Sequence, residues 1–260
     1  MALAETNETG VHASTYSKLS KHVQLSEGRK FLDHILQPQR GDRVLDFGCG
    51  TGNLTLHLAE KIGPKGFLVG VDPDVERIKI AHSLLQSYEN VKIVHCSIEE
   101  AKPFALYDVI NSNQVVHWIP RNNHEEYVGK IFDLLRPGGR VGFTTGEDHK
   151  GFIRELSASQ YGNSYESFIA ATGWSLAPLS YWESLFRDAG FEIVYSSREE
   201  KGGVFPDERT LLDWWEATTV GYFSAAIRTP EELLKKYKLK RDGPIPVYAS
   251  LQDVVAKKPS

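Results

Sequence analysis

The chain has 260 residues, 41% of them hydrophobic, and its 30 basic and 34 acidic side chains leave a formal net charge of −4 at pH 7. That length suits one sizeable core rather than two, and the evenly mixed charge offers no basic stripe of the kind nucleic-acid binding needs. No stretch is long enough to span a bilayer, residues 1–15 lack the apolar core of a secretion signal, and Cys49 and Cys96 make no disulfide framework, so a cytoplasmic protein without membrane association is expected.

Residues 15–37 carry Tyr16, Leu19, Val23, Phe31, Leu32, Ile35 and Leu36 at helical spacing, with Ser26 placed to cap the second half. Residues 1–37 therefore read as an N-terminal helical flap, ended by Pro38, Gly41 and Asp42. Val44-Leu45-Asp46-Phe47 then forms a short apolar strand that runs into Gly48-Cys49-Gly50-Thr51-Gly52-Asn53, and helical periodicity resumes through Leu54, Leu58, Ala59 and Ile62. Strand, glycine loop, helix is the shape of a nucleotide cradle. Glycine lets the main chain turn tightly and a ligand approach it closely, while the amides at the helix start point at what binds. Such glycines also close ordinary turns, but Phe67 to Asp72 is a second apolar strand ending in an acid, where a ribose-binding carboxylate belongs. Asp72-Pro73-Asp74 is also a good helix start, and the two roles are compatible. Cys49 is not expected to be a nucleophile, since the loop itself calls for a small residue and no activating base is near in sequence.

An amphipathic helix from about Asp74 to Tyr88 leads to a strand at Val91–Val94, and a further strand at Val109–Asn111 precedes a helix from His124 to Leu135. Pro137-Gly138-Gly139 stops that helix before a strand at Arg140–Thr145. This alternation implies right-handed crossovers and a parallel sheet covered on both faces, with ligands beyond the carboxyl ends of the strands. Past residue 146 the rhythm breaks and aromatics crowd in: Phe152, Tyr161, Tyr165, Phe168, Trp174, Trp182, Trp214, Trp215, Tyr222 and Phe223. Ser180-Tyr181-Trp182-Glu183 and Thr229-Pro230-Glu231-Glu232 read as capping boxes of two helices, Phe191–Tyr195 as a strand and Val247–Lys257 as the last strand. Residues 146–178 and 199–246 are then insertions on the ligand side, forming an aromatic lid over an apolar acceptor pocket. The cluster Lys235, Lys236, Lys238, Lys240 and Arg241 reads as a solvated helix end.

The Gly-x-Gly-x-Gly spacing after Asp46 resembles the first motif of the class I S-adenosylmethionine-dependent methyltransferases rather than a dinucleotide fingerprint. Val71-Asp72-Pro73 resembles that family's ribose-binding motif, Cys96-Ser97-Ile98-Glu99 its adenine-flanking motif, Tyr107 to Asn113 its fourth strand and Leu135 to Val141 its turn into the fifth. The resemblance covers roughly residues 40–145. It implies a Rossmann-like, seven-stranded, mostly parallel α/β sheet whose last strand is antiparallel, in one domain. It also implies S-adenosylmethionine as cofactor. Asp46 and the loop Gly48, Cys49, Gly50, Gly52 and Asn53 would hold the amino-acid end, Asp72 with Pro73 the ribose, Ser97 and Ile98 the adenine. Asn113 would face the methionyl end, and Tyr16 would be among the cofactor-binding residues.

Gln114-Val115-Val116-His117-Trp118-Ile119 resembles the His-Trp segment of the small-molecule carboxyl O-methyltransferases, such as the juvenile hormone acid and trans-aconitate enzymes. There the indole N–H of Trp118, with Gln24, would hold an acceptor carboxylate, which is ionised at neutral pH and needs no base. The alternative is an amine or phenol deprotonated by His117, whose ordinary pKa suits the task. Both residues could instead pack the strand-end turn. No metal is expected, because the histidines are scattered. The expected partner is a small-molecule acceptor, with the protein a monomer or homodimer. A non-catalytic methyltransferase-like binding domain and, more remotely, a nicotinamide dehydrogenase are the competing readings.

Overall fold

The computed structural model describes residues 8–20, 24–97, 100, 105–160, 164–219 and 229–260. Val23, Ile98, Tyr161, Tyr222 and Phe223 lie outside the described residues. Two helices, α1 (Glu8–Leu19) and α2 (Gln24–Phe31), come first, the second continued by a π-helical turn at Leu32–Leu36. They are followed by β1 (Arg43–Phe47), α3 (Asn53–Ile62), β2 (Phe67–Asp72), α4 (Val75–Leu85), β3 (Val91–His95), β4 (Tyr107–Asn113), α5 (His124–Leu134) and β5 (Leu135–Lys150). The remainder is α6 (Gly151–Gln160), α7 (Tyr165–Thr172), α8 (Leu179–Asp188), β6 (Glu192–Phe205), α9 (Glu208–Thr218), α10 (Glu231–Lys236) and β7 (Ile245–Lys257).

The seven strands form one sheet in the order β3-β2-β1-β4-β5-β7-β6, parallel except that β7 runs antiparallel to both of its neighbours. Side chains alternate across each strand, so neighbouring apolar residues feed opposite faces. Val44, Leu68 and Val109 join Phe31, Leu58 and Ile78 on the face covered by α2, α3 and α4. Leu45, Val69 and Ile110 join Tyr127, Ile131, Trp182 and Phe186 on the face covered by α5 and α8. Burial on both faces is why these strands read as unbroken apolar runs.

Beyond this core the sheet grows an arm. β5 runs to Lys150, β6 to Phe205, and β7 starts at Ile245, with Ser196 to Phe205 paired along Val254 to Ile245. The insertions expected at 146 and 199 thus begin as strand, and helical lid elements follow only after Lys150 and Phe205. A third apolar cluster, including Phe152, Phe168, Trp174, Trp214, Trp215 and Val247, packs α6, α7, α9 and α10 onto this arm.

Three expected caps are corrected. Ser26 lies inside α2, which already starts at Gln24. α8 is capped by Pro178 without a side-chain bond, which leaves Ser180 inside the helix, and Glu183 instead accepts from the Ser196 hydroxyl at 2.6 Å. α10 starts after Pro230, and Thr229 offers no capping bond. Proline sets φ for the helix entrance at both sites and so removes the need for a side-chain cap. Side-chain caps are instead formed by Asp74 on α4, Ser164 on α7 and Asp207 on α9. Among the described residues no helix is long and apolar enough to cross a membrane.

Candidate active site

At the top of β1 the chain turns through Gly48, Gly50 and Gly52, at φ +71°, +54° and +85°. The Gly48 and Cys49 amides both donate to Val71 O, at 2.8 and 2.9 Å, which ties the loop to the end of β2. A Cβ on Gly48 would stand 2.3 Å from Val115 Cγ2, and one on Gly52 would stand 3.1 Å from the Ala81 Cα. Gly48 therefore lets the loop pass the β4 turn, and Gly52 lets α3 approach α4.

Two carboxylates lie behind this loop. Asp72 is 7% exposed; its Oδ2 accepts from Gly50 N–H and its Oδ1 from Asp74 N–H, each at 2.9 Å. Burial raises its pKa against the opposing charge of Arg77. Asp46 accepts from Thr55 Oγ1 at 2.6 Å and from Asn111 Nδ2 at 2.7 Å, and burial pushes its pKa up to about 6. Each oxygen keeps a lone pair for a ligand. The Cys49 thiol is pushed well up by burial and by these two acids, which keeps it protonated and unreactive.

These groups open on a cleft of about 420 Å³, within the roughly 300–1,000 Å³ of small-molecule sites. Of the residues expected to hold the cofactor, Tyr16, Asp46, Gly48, Cys49, Gly50 and Asn53 line it. Asp72, Pro73, Ser97 and Asn113 line it as well. Gly52 does not; its place is against α4. Ile98 lies outside the described residues. Tyr16 reaches the cleft from α1 with the Arg77 guanidinium 4.5 Å from its ring centre, and Asn53 Nδ2 donates to Ser17 O at 3.2 Å, so α1 is fastened across the opening.

A smaller chamber of about 80 Å³ adjoins the cleft and shares Gln24, Asn113 and Gln114 with it. Asn113 Nδ2 donates to Thr144 Oγ1 at 2.7 Å. Gln114 is held at φ +57°, a left-handed conformation costing a non-glycine residue about 1–2 kcal/mol. Its N–H donates to Thr144 O at 2.9 Å, which fixes the junction.

His117 and Trp118 part company here. Trp118 faces the cleft, whereas His117 lines the chamber with Nδ1 3.2 Å from Thr145 Oγ1. Burial pulls the pKa of His117 down to about 3, and that of His149 across the chamber likewise, so both imidazoles are neutral at physiological pH. The Trp174 ring lies between them, 5.2 Å from the first and 5.3 Å from the second, and meets Trp118 edge-on at 5.2 Å. Gln24 Oε1 accepts from Trp214 Nε1 at 3.3 Å, linking α2 to the lid helix α9.

Sequence reasoning missed Arg77, Gln114, Thr144, His149, Lys201 and Asp253 as wall residues. Gln114 opens the His-Trp segment and could have been found there. Arg77 lies on α4 just past the Asp72-Pro73-Asp74 turn, whereas Thr144, His149, Lys201 and Asp253 lie on β5, β6 and β7, where no local motif marks them.

A family model described as a methyltransferase domain matches residues 21–196. The chain belongs to that family. It is an S-adenosylmethionine-dependent methyltransferase, and the cleft, with its glycine turn and paired acids, fits that cofactor. The demethylmenaquinone methyltransferase of Listeria welshimeri is 22% identical over 218 residues, covering 74% of this chain and 92% of that protein. Other Listeria demethylmenaquinone methyltransferases are aligned over 63% of their length. The trans-aconitate 2-methyltransferase of Deinococcus radiodurans is 26% identical over 187 residues, covering 68% of this chain and 69% of that one. The same fold occurs in phosphoethanolamine N-methyltransferase 2 of Haemonchus contortus in complex with S-adenosyl-L-methionine. The TM-score is 0.65 at 18% identity, over 98% of this chain and 59% of that one.

Proposed function

We propose that this methyltransferase methylates the carboxylate oxygen of a small, largely apolar molecule. In this reading one domain holds the cofactor on residues 40–145 and covers the acceptor with the lid of residues 146–178 and 199–246. The observation that carries it is the continuity of cleft and aromatic chamber through Gln24, Asn113 and Gln114.

When bound, S-adenosylmethionine presents a methyl group already activated on a sulfonium. Asp72 would accept from the ribose hydroxyls, Asp46 and the Gly48–Asn53 loop would hold the amino-acid end, and Ser97 would border the adenine. Asn113, braced by Thr144, would border the methionyl end beside the junction. Tyr16 and α1 exclude water.

Alignment and dehydration suffice for a carboxylate acceptor, which arrives ionised. Trp118 supplies an indole N–H to it. Gln24, whose oxygen is taken by Trp214, turns its amide N–H to the same group. The neutral histidines support this choice. A group that holds a proton only below about pH 3 is a poor base toward a phenol or amine, so His117 serves as wall. The substrate named for the Deinococcus relative, trans-aconitate, is itself a carboxylate.

The test is release of S-adenosylhomocysteine over a panel of acids, amines and phenols, with cofactor binding followed by calorimetry. Acids should turn over. Trp118→Ala should keep cofactor affinity and lose most turnover, and Asp72→Ala should weaken cofactor binding by about 5- to 150-fold, the equivalent of about 1–3 kcal/mol. Turnover confined to amines or phenols would overturn the carboxylate reading.

A further inference from the structure

One histidine of the chamber wall has its proton placed by its neighbours. His149 stands on β5 opposite Ala249 of β7, and its ring packs on Trp174 and Trp215, with ring centres 5.3 and 5.0 Å away. Tyr165, the first residue of α7, brings its hydroxyl to 2.8 Å from His149 Nδ1 and 3.3 Å from the His149 backbone nitrogen. The backbone N–H only donates, so the phenol oxygen accepts there and gives its own proton to Nδ1. A neutral ring whose Nδ1 accepts carries its proton on Nε2. Arg154, with its guanidinium 3.9 Å from the Tyr165 ring centre and paired with Asp148, holds the phenol in place.

The Nε2–H has no partner among the described residues, yet it is not one of the fully enclosed polar atoms, as the Trp174 indole nitrogen is. His149 is half-buried, and the cavity it lines is the chamber. A donor there calls for an oxygen lone pair, and charge decides which kind. Glu27, Asp148 and Asp253 line the chamber, and Lys201, the lysine of its wall, is taken by Asp253. Lys30, Lys150 and Arg154, the partners of the other two acids, do not line it. A carboxylate would lose its water among like charges there, with a neutral N–H as its donor, whereas a carbonyl or ether oxygen brings no charge. The volume of about 80 Å³ leaves room for a short end of a molecule.

We propose that the methyl acceptor carries an uncharged oxygen, a carbonyl or an ether, at the end remote from its reacting group, and that His149 selects it by donating Nε2–H to it. Tyr165 is the positioning residue that keeps the proton on that nitrogen. The inference rests on the reading of the chamber as the acceptor's place, but it is independent of whether the reacting group is a carboxylate.

The test uses the full chain loaded with S-adenosylhomocysteine. Calorimetry over a range of chain lengths compares straight-chain acids bearing a carbonyl next to the terminal methyl with the all-methylene acids, the dicarboxylic acids and the amides of the first two. At the best-fitting length the carbonyl should strengthen binding about tenfold, the size of one buried hydrogen bond, and a second carboxylate should bind more weakly than the methylene chain. His149→Phe should abolish the carbonyl preference and Tyr165→Phe should reduce it, each with cofactor affinity near that of the parent. Imidazole nitrogen NMR shifts, assigned by the signal lost in His149→Phe, should show a bare Nδ1 and a protonated Nε2 in the parent, a readout that needs no acceptor. Should His149→Phe fail to fold, the carbonyl preference in Tyr165→Phe decides. Equal binding of carbonyl and methylene chains, tighter binding of the diacids, a preference that survives the variants, a proton on Nδ1, or no binding at any length would overturn the proposal. Failure of the carboxylate reading shows separately, as amides that bind as well as acids while the carbonyl preference persists.

Discussion

Two glycines with similar backbone angles allow conformation and contact to be separated. Gly48 and Gly41 sit at φ +71° and +89°, but a Cβ meets Val115 Cγ2 at 2.3 Å at the first and nothing within 4 Å at the second. Gly41→Ala should therefore cost only the left-handed strain, about 1 kcal/mol, and leave cofactor affinity alone. Gly48→Ala adds a clash that displaces the loop from Val115. It should lower cofactor affinity at least about tenfold, a loss of about 1.4 kcal/mol, as well as the melting temperature. Calorimetry and thermal melts on the two variants check this, and equal cofactor affinity would show that the loop tolerates the displacement. Gly48, Asp72 and Asn113 were legible because the chemistry of a strand-end loop is local in sequence. Asp253 and Lys201 were not, because they meet only through the antiparallel pairing of β6 with β7.

Helix entrances show a similar limit. Ser180 followed three residues later by Glu183 satisfies the capping-box pattern, yet Pro178 two residues earlier sets the backbone and α8 is entered there. Asp207, by contrast, accepts from Thr210 N–H at 2.7 Å at the start of α9, the helix that carries Trp214 and Trp215 into the chamber wall. Asp207→Ala should cost about 1 kcal/mol, whereas Ser180→Ala should stay within about 0.5 kcal/mol. Urea denaturation of the two variants discriminates, and a larger loss at Ser180 would restore the capping box. The strands divide in the same way. β1, β2 and β4 are buried on both faces and announce themselves as apolar runs. The outer half of β6, from Ser196 to Gly203, is an edge strand with polar residues on both faces and no period-2 apolar pattern, so its pairing with β7 was invisible in the sequence.

Buried residues pull the stability of the whole molecule against acid in two opposed directions. His117 and His149 are held neutral down to about pH 3, but in the unfolded chain they take up a proton near pH 6.5, so acid favours unfolding through that window. Asp46 works the other way. Its folded pKa of about 6 lies above the unfolded carboxylate range, so it withdraws stability as pH rises through that interval and returns it as pH falls, and Asp72 and Asp253 shift in the same sense. Within the acid limb the histidines of the chamber thus oppose the carboxylates of the cleft and arm, and a single substitution separates them. His117→Asn keeps a polar group beside Thr145 and removes one of the acid-sensitive sites. At pH 7.5 it should destabilise, because a 6% exposed ring that packs on Trp174 is lost. At pH 4.5 that penalty should shrink by about 2–3 kcal/mol, since each pH unit below 6.5 is worth about 1.4 kcal/mol for a group that cannot protonate when folded. Urea unfolding of parent and variant across this range measures the difference directly. A penalty independent of pH would mean that His117 protonates in the folded chain, and with it would fall the argument that the chamber offers no base to an un-ionised acceptor.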